Sequence, residues 1–518
     1  MPAKTRLAAL ALLTAACAAL PARAAPAWSL PPSVATALAD AHVPQNALAL
    51  WVQPVDAPAP SWGWNADFGV NPASVFKLVT TSAALDTLGP AWTWKTGVYV
   101  TGPVRNGVLE GSVAIVGSGD PSLVMERVWL LLRQLRDAGV RDIRGDIVLD
   151  HAGFAPSARS AADFDGAPSE PYNVLPDALL MNFRALTLSF HPEPGGRAAR
   201  VTSEPPLAGF KVDATVPLSR AACGDWRGAL KLAADDPAHW RFAGAYPAAC
   251  GERNWPLAYP EPASYENRLV GALWHELGGK LSGTVRAGTL PEGATLAFMF
   301  ESPQLAQVVR DINKFSNNTM AEQLFLTLAR LASPESAGPA VEARPEQAQA
   351  VLSQWLHARL GAAADGVVIV NGSGLARETR ISARTLGALL QCDWNSAAMP
   401  ELLSSLPIAG VDGTLRRSRA EAGRAHLKTG SMRDVAAVAG YVLSDNGRRY
   451  ILVAIVNDPN AGAARPALDA AIEWVARDPA QAAKAPGNEP SRGHRCARDR
   501  VRSGPRAALV RTSSRWTR

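Results

Sequence analysis

The chain is poor in the residues that several common chemistries need. Its eight histidines are scattered over 518 residues, and His275 in WHELGG lacks the second histidine, one helical turn away, that a zinc-binding helix needs. No serine sits in a G-x-S-x-G turn, which sets aside the Ser-His-Asp hydrolases built on that elbow. No internal repeat is present, so solenoids and propellers are set aside too. Beyond the N-terminus no apolar run reaches the ~20 residues of a membrane-spanning helix without charges or prolines. Cysteine is rare, five in all. Neither a metal site nor a cofactor is expected.

What is present is apolar bulk, 47% hydrophobic residues, over a length that calls for roughly two or three globular domains. The N-terminus, MPAKTRLAALALLTAACAALPARAAPAW, joins Lys4 and Arg6 to an uncharged stretch from Leu7 to Leu20 and a small-x-small site at Ala22-Arg23-Ala24. Residues 1–24 therefore read as a secretory signal peptide. Cys17 would suit lipid attachment, but Thr14 stands where a lipoprotein signal has leucine. In an oxidising compartment Cys223 and Cys250, both in loop-like segments, read as a disulfide pair. Cys392, after the apolar run LGALLQC, reads as a buried, inert thiol.

The formal charge of +6 is localised. Residues 478–518 carry ten Lys/Arg against three Asp/Glu, and the signal segment three more cations, which leaves the body at −4. No nucleic-acid partner is implied. Rich in Arg, Pro, Gly and Ser, residues 478–518 read as a basic disordered tail.

Along the body, NALALWVQP reads as a strand and WGWNADF as its partner. A helix follows from Ser74 to Gly89-Pro90. In GVYVTGPVRNGVLEGSVAIVGSGDPSL two strand-like runs meet at Asn106-Gly107, a hairpin signal. Helical spacing of Val128, Leu131, Leu132 and Leu135 comes next, then a strand in RGDIVLD. From about 155 to 295 the composition turns Pro-, Gly- and Ala-rich, with short strands and few long helices. Ser302-Pro303 is a cap signal for a helix to about Lys314, and a second helix starts beyond Asn318. RAHLKTGSM, DVAAVAGYVLS and RRYILVAIVND form an antiparallel meander, and RPALDAAIEWVAR closes the body as an amphipathic helix.

Chemistry enters with NPASVFKLVTTSAALDTLG. On a helix Ser74 and Lys77, three apart, share a face, so hydroxyl and amine come within hydrogen-bond reach. That is the geometry of a nucleophile and its base, although a serine at a helix start is more often a cap. Two further elements shift the balance. Ser316-Asn317-Asn318 sets a hydroxyl and an amide at a joint between helices, and Lys428-Thr429-Gly430 lies on a strand just before Ser431. Three such elements in this order form the signature of penicillin-binding proteins and class A β-lactamases.

With FSNNTMAEQLF, VNGSGLAR and LPIAGVDGTLRRS in the same order, and GSGDPSL and GDIVLD ahead of them, the chain resembles the class C low-molecular-mass penicillin-binding proteins. These are periplasmic D-alanyl-D-alanine carboxypeptidases and endopeptidases. The resemblance runs from about residue 30 to 477. It departs at Asn371, where the family often has Asp.

It implies an α+β penicillin-binding or serine β-lactamase-like transpeptidase fold, an antiparallel sheet flanked by helices. The fold would be split as residues 25–97 and 296–477 around a β-rich insertion, 98–295. Ser74 would be the nucleophile and Lys77 its base, its proton affinity depressed by burial and by Lys428. Ser316 would lie between the two lysines and relay a proton. Asn318 would bind the substrate backbone, and Lys428 and Thr429 the terminal carboxylate, with Gly430 beside them. Backbone N–H groups of Ser74 and Ser431 would hold the oxyanion. Asp165 in DFDGAPSEPYNVLP would meet the free amine of the stem peptide, though as a residue it reads equally as an exposed loop carboxylate. The partners implied are peptidoglycan peptides and, as covalent inhibitors, β-lactam antibiotics; the reading leaves room for a homodimer.

A secreted serine β-lactamase would carry the same trio, but the long separation of Ser74 from Ser316 argues for the peptidase. A catalytically inactive peptidoglycan-binding protein would have lost Ser74, Lys77 or Lys428, and all three are present.

Overall fold

The computed structural model describes residues 29–56, 61–332 and 342–479. The expected signal segment lies outside them, as does the tail beyond its first two positions.

A five-stranded antiparallel sheet organises the part that carries the motifs. Its strands are β1 (Leu48–Pro54), β2 (Trp62–Trp64), β3 (Ala425–Met432), β4 (Val435–Leu443) and β5 (Arg449–Asn457), in the order β2-β1-β5-β4-β3. Side chains alternate along each strand. Ala49, Trp51, Ala437, Ala439, Val453 and Ile455 face one core. Leu50, Val52, Val438, Leu452 and Ala454 face the other, against Val34 and Leu38 of helix α1 (Pro32–Asp40) and Leu468 and Ile472 of helix α5 (Arg465–Ala476). With helices on both faces, β4 and the stretch of β5 between Arg449 and Asn457 must be largely apolar; each large side chain so buried contributes about 1.5–3 kcal/mol. The three-strand meander and closing helix stand as expected.

Helix α2 (Lys77–Leu88) is buried on all sides over its first nine residues, Lys77 to Leu85. Helices α3 (Leu305–Phe315) and α4 (Asn318–Ala332) pack beside it, joined at Ser316, whose left-handed φ of 58° turns the chain between them. Helix α3 begins later than its cap signal suggests. Ser302 does not cap it, because its hydroxyl accepts the Trp94 N–H at 2.9 Å and donates to Pro303 O at 2.7 Å. Cys392 is buried, as expected.

Strands Lys95–Val100 and Thr295–Glu301, at the two ends of the segment expected to be inserted, pair antiparallel. Beyond this pair, Val113–Val116 and Ile147–Asp150 pair in parallel across helix Met125–Asp137, a crossover unit. Asn106 and Gly107 adopt left-handed φ of 49° and 84° and close a hairpin, as their sequence predicts, but its strands are two residues each, Val104–Arg105 and Val108–Leu109. A further five-stranded sheet has Arg253–Ala258 at its edge. Cys223 and Cys250 are disulfide-bonded. Within the same segment Pro262–Glu276 is a helix of 15 residues, with Tyr265, Leu269, Val270, Leu273 and Trp274 buried.

Candidate active site

Ser74 sits in the tight turn Ala73–Phe76 that leads into α2, and not at a capping position. Asn71 builds that turn: its Oδ1 accepts the Ala73 N–H at 2.8 Å, and its Nδ2 donates to Ala376 O at 2.9 Å. From one helical turn on, Lys77 brings Nζ to 2.8 Å from Ser74 Oγ. The amine also lies 2.6 Å from Asn318 Oδ1 and 2.7 Å from Ser373 O. It is fully buried. Burial, opposed by the Glu322 carboxylate, brings the Lys77 pKa down to about 7.

Lys428 projects from β3, with Nζ 2.8 Å from Ser316 Oγ and 2.6 Å from Thr429 O. Burial, and after it the Lys77 cation, holds its pKa well below the usual lysine range. Burial, as expected, is the main cause of the lowered value at both amines, and the repulsion between the two cations acts on both. The two hydroxyls divide between the amines. Ser316 bonds Lys428, whereas Lys77 is held by Ser74 and Asn318.

Thr429 Oγ1 is 2.6 Å from Thr414 Oγ1, which brings LPIAGVDGTLRRS to the same edge. Gly430 permits a close approach. A Cβ there would meet Pro72 O at 2.4 Å and Val75 N at 3.1 Å, so only glycine lets β3 lie against the Ser74 turn. Ser431, exposed, follows it. The VNGSGLAR loop closes the back. Asn371 Oδ1 accepts the N–H groups of Ser373 and Gly374, at 3.1 and 2.9 Å, and thereby presents Ser373 O to Lys77. The departure from Asp leaves the loop with its hydrogen bonds.

Asp165 stands on an insertion loop, exposed, bonded to Tyr172 Oη and Asn173 Nδ2 at 2.8 Å each. It is tied to the site indirectly, because Tyr172 O accepts Asn318 Nδ2 at 3.2 Å. Sequence reasoning missed Glu322, whose Oε1 accepts the Ser373 hydroxyl at 3.0 Å, and also Ser373, Thr414 and Tyr172. Of these only Glu322 had a signal, four residues after Asn318 in FSNNTMAEQLF and so on its helical face. Among the described residues no cluster of His, Cys, Asp or Glu is suited to a metal ion, and no helix is long and apolar enough to cross a membrane.

A buried lysine whose pKa is brought down to about 7, in reach of a serine hydroxyl and backed by a second lysine–serine pair, on this sheet-and-helix frame, is the arrangement that a serine hydrolase of the penicillin-binding type needs. Comparison with known proteins agrees. The profile of the D-Ala-D-Ala carboxypeptidase 3 (S13) family matches residues 30–478. A D-alanyl-D-alanine carboxypeptidase of Actinomadura sp. strain R39 is 29% identical over 77% of this chain and 76% of its own. The crystal structure of penicillin binding protein 4 from Haemophilus influenzae superposes with a TM-score of 0.66 at 21% identity, over 85% of this chain and 99% of that one. Its complex with a β-lactam gives 0.64 at 20% identity, over 86% and 98%. A predatory endopeptidase of Bdellovibrio bacteriovorus, complexed with an immunity protein, reaches 0.50 at 16%, over 82% and 92%. The chain belongs to the D-Ala-D-Ala carboxypeptidase 3 (S13) family and is a serine-type D-alanyl-D-alanine carboxypeptidase.

Proposed function

We propose that this carboxypeptidase acts in the periplasm on peptidoglycan stem peptides and their cross-links, through an acyl-enzyme on Ser74 that penicillins trap. The observation that carries the reading is the 2.8 Å between Ser74 Oγ and Lys77 Nζ, with Lys77 brought down to about 7. Neutral Lys77 takes the hydroxyl proton as Ser74 Oγ attacks the carbonyl of the penultimate D-alanine. The oxyanion is held by the N–H groups of Ser74 and Ser431, which the close fit at Gly430 favours. As the tetrahedral intermediate collapses, the C–N bond breaks and the leaving amine receives, by way of Ser316, the proton that Lys77 took from Ser74, which leaves Lys77 neutral. Water then hydrolyses the ester, with Lys77 again the base.

Lys428 and Thr429 hold the terminal carboxylate, and Asn318 the substrate backbone. Asp165 is a candidate for the stem peptide's free amine. In a cross-link the same D-alanine carbonyl is joined to a side-chain amine, so endopeptidase action needs only a different leaving group. Incubation with monomeric and cross-linked muropeptides, with separation of the products, tests the substrate. Release of D-alanine and of monomers from the dimer is expected. Intact starting material with both would overturn the reading.

A further inference from the structure

The Glu322 carboxylate stands between the base and a cation from another part of the chain. Its Oε1 accepts the Ser373 hydroxyl at 3.0 Å, and the carbonyl of that same serine accepts Lys77 Nζ at 2.7 Å. Its Oε2 accepts the guanidinium of Arg159, which lies on the loop between strand Ile147–Asp150 and the turn Pro171–Asn173. The Glu322 side chain is 9% exposed and that of Arg159 42%, so the pair has its carboxylate inside and its cation at the rim. Glu322 follows Asn318 by four residues on α4, and Asn318 Oδ1 is 2.6 Å from the same Lys77 Nζ. One face of the helix thus brings both an amide and a carboxylate towards the base.

A carboxylate in this place works against a base. Opposite charges attract strongly where water is excluded. Glu322 accordingly raises the proton affinity of Lys77, against the burial that lowers it. With no other cation to meet it, Glu322 would hold Lys77 charged and unable to take a proton from Ser74. Arg159 is that other cation. A guanidinium keeps its proton at any working pH and binds carboxylates well, so Glu322 has a permanent partner that is not the base. Lys428, from β3, is a further charged group at Lys77, and its repulsion also favours the neutral amine.

The chain around Arg159 is tied to the same helix. Tyr172 O accepts Asn318 Nδ2 and Val174 O accepts the Thr319 hydroxyl, at 3.2 Å each. The Gln323 side chain meets both the N–H and the carbonyl of Asp177, at 2.9 and 2.8 Å. These contacts run along the first turns of α4, on either side of Glu322 in sequence. We propose that Arg159 is a positioning residue for the reaction at Ser74: by pairing with Glu322 it limits the pull of that carboxylate on the Lys77 proton and leaves the amine free to act as base. The proposal rests on the reading of Lys77 as the base, given above.

The test is the pH dependence of penicillin acylation, by stopped flow, in the full chain and in Arg159→Ala, Arg159→Lys, Glu322→Gln and Arg159→Ala/Glu322→Gln. The position of the acidic limb, unlike the height of the plateau, does not depend on how much of a variant is folded. Without Arg159 the pull of Glu322 is unopposed, so Lys77 keeps its proton to higher pH and the limb should move up by about half a pH unit or more. Arg159→Lys should return it most of the way. Glu322→Gln should move it down, and on that background Arg159→Ala should hardly move it further, because the charge it balanced is gone. A limb that stays in place or moves down in Arg159→Ala, even with the rate lowered at every pH, would make Arg159 a support for its loop and overturn the proposal. An equal upward shift with and without Glu322 would show that the guanidinium acts on Lys77 directly, and would overturn the route through Glu322. A Lys77→Ala protein acylated at the parental rate would sink the reading of Lys77 itself, and the role of Arg159 with it.

Discussion

Lys428 Nζ and Ser316 Oγ lie 2.8 Å apart, though 112 positions separate them in the chain. The amine is buried and its pKa well depressed, so the empty site favours its neutral form. A terminal carboxylate arriving beside it favours the charged form. Binding should therefore take up a proton. Calorimetry of Ser74→Ala with a D-Ala-D-Ala peptide, in buffers of different ionisation heat near pH 7.5, should show uptake of a substantial fraction of one proton, lost in Ser74→Ala/Lys428→Ala. Binding without uptake would contradict the carboxylate assignment.

Lys77 acts when neutral, so acylation should rise with pH along an acidic limb centred near its value of about 7. The Glu322 charge raises that value. Removing it with Glu322→Gln should move the limb to lower pH, and Lys77→Ala should slow acylation by about 10²- to 10⁴-fold. Stopped-flow acylation against pH checks both; a limb that stays in place in Glu322→Gln would contradict the electrostatics.

Gly430→Ala would put a Cβ 2.4 Å from Pro72 O. The strand must retreat from the Ser74 turn, and a displacement of about 1 Å costs on the order of 10²-fold in rate. The acylation rate and melting temperature, measured together, separate a misplaced oxyanion site from general unfolding: the rate should fall far more than stability.

Asp393, fully buried, has its pKa pushed up to about 7 by burial, against the Ser82 hydrogen bond. The unfolded carboxyl titrates near about 3.9. Between those values the unfolded chain releases its proton while the folded protein keeps it, so this residue lowers stability progressively from about pH 4 to 7. Asp393→Asn should raise the melting temperature at pH 8, with the gain shrinking towards pH 4. An equal gain at both pH values would contradict this.

Much of this site could be read in the sequence, because Ser74, Lys77, Ser316, Asn318 and Lys428 come in short segments whose local structure is itself predictable. What could not be read is how the segments touch. Asn318 reaches Lys77 across 241 positions, and Ser373 contributes a backbone carbonyl, for which no side-chain pattern exists. Ser302 had the right residue for a cap, but tertiary contact with Trp94 took its hydroxyl. Helix Pro262–Glu276 had a regular apolar face, hidden by the Pro- and Gly-rich composition around it.

The central claim, that Ser74 is the residue acylated, is tested most directly by intact-mass and peptide-level mass spectrometry after penicillin treatment. One penicilloyl adduct is predicted, on the peptide containing Ser74, and none in Ser74→Ala. An adduct on another serine, or an unmodified parent protein, would contradict it.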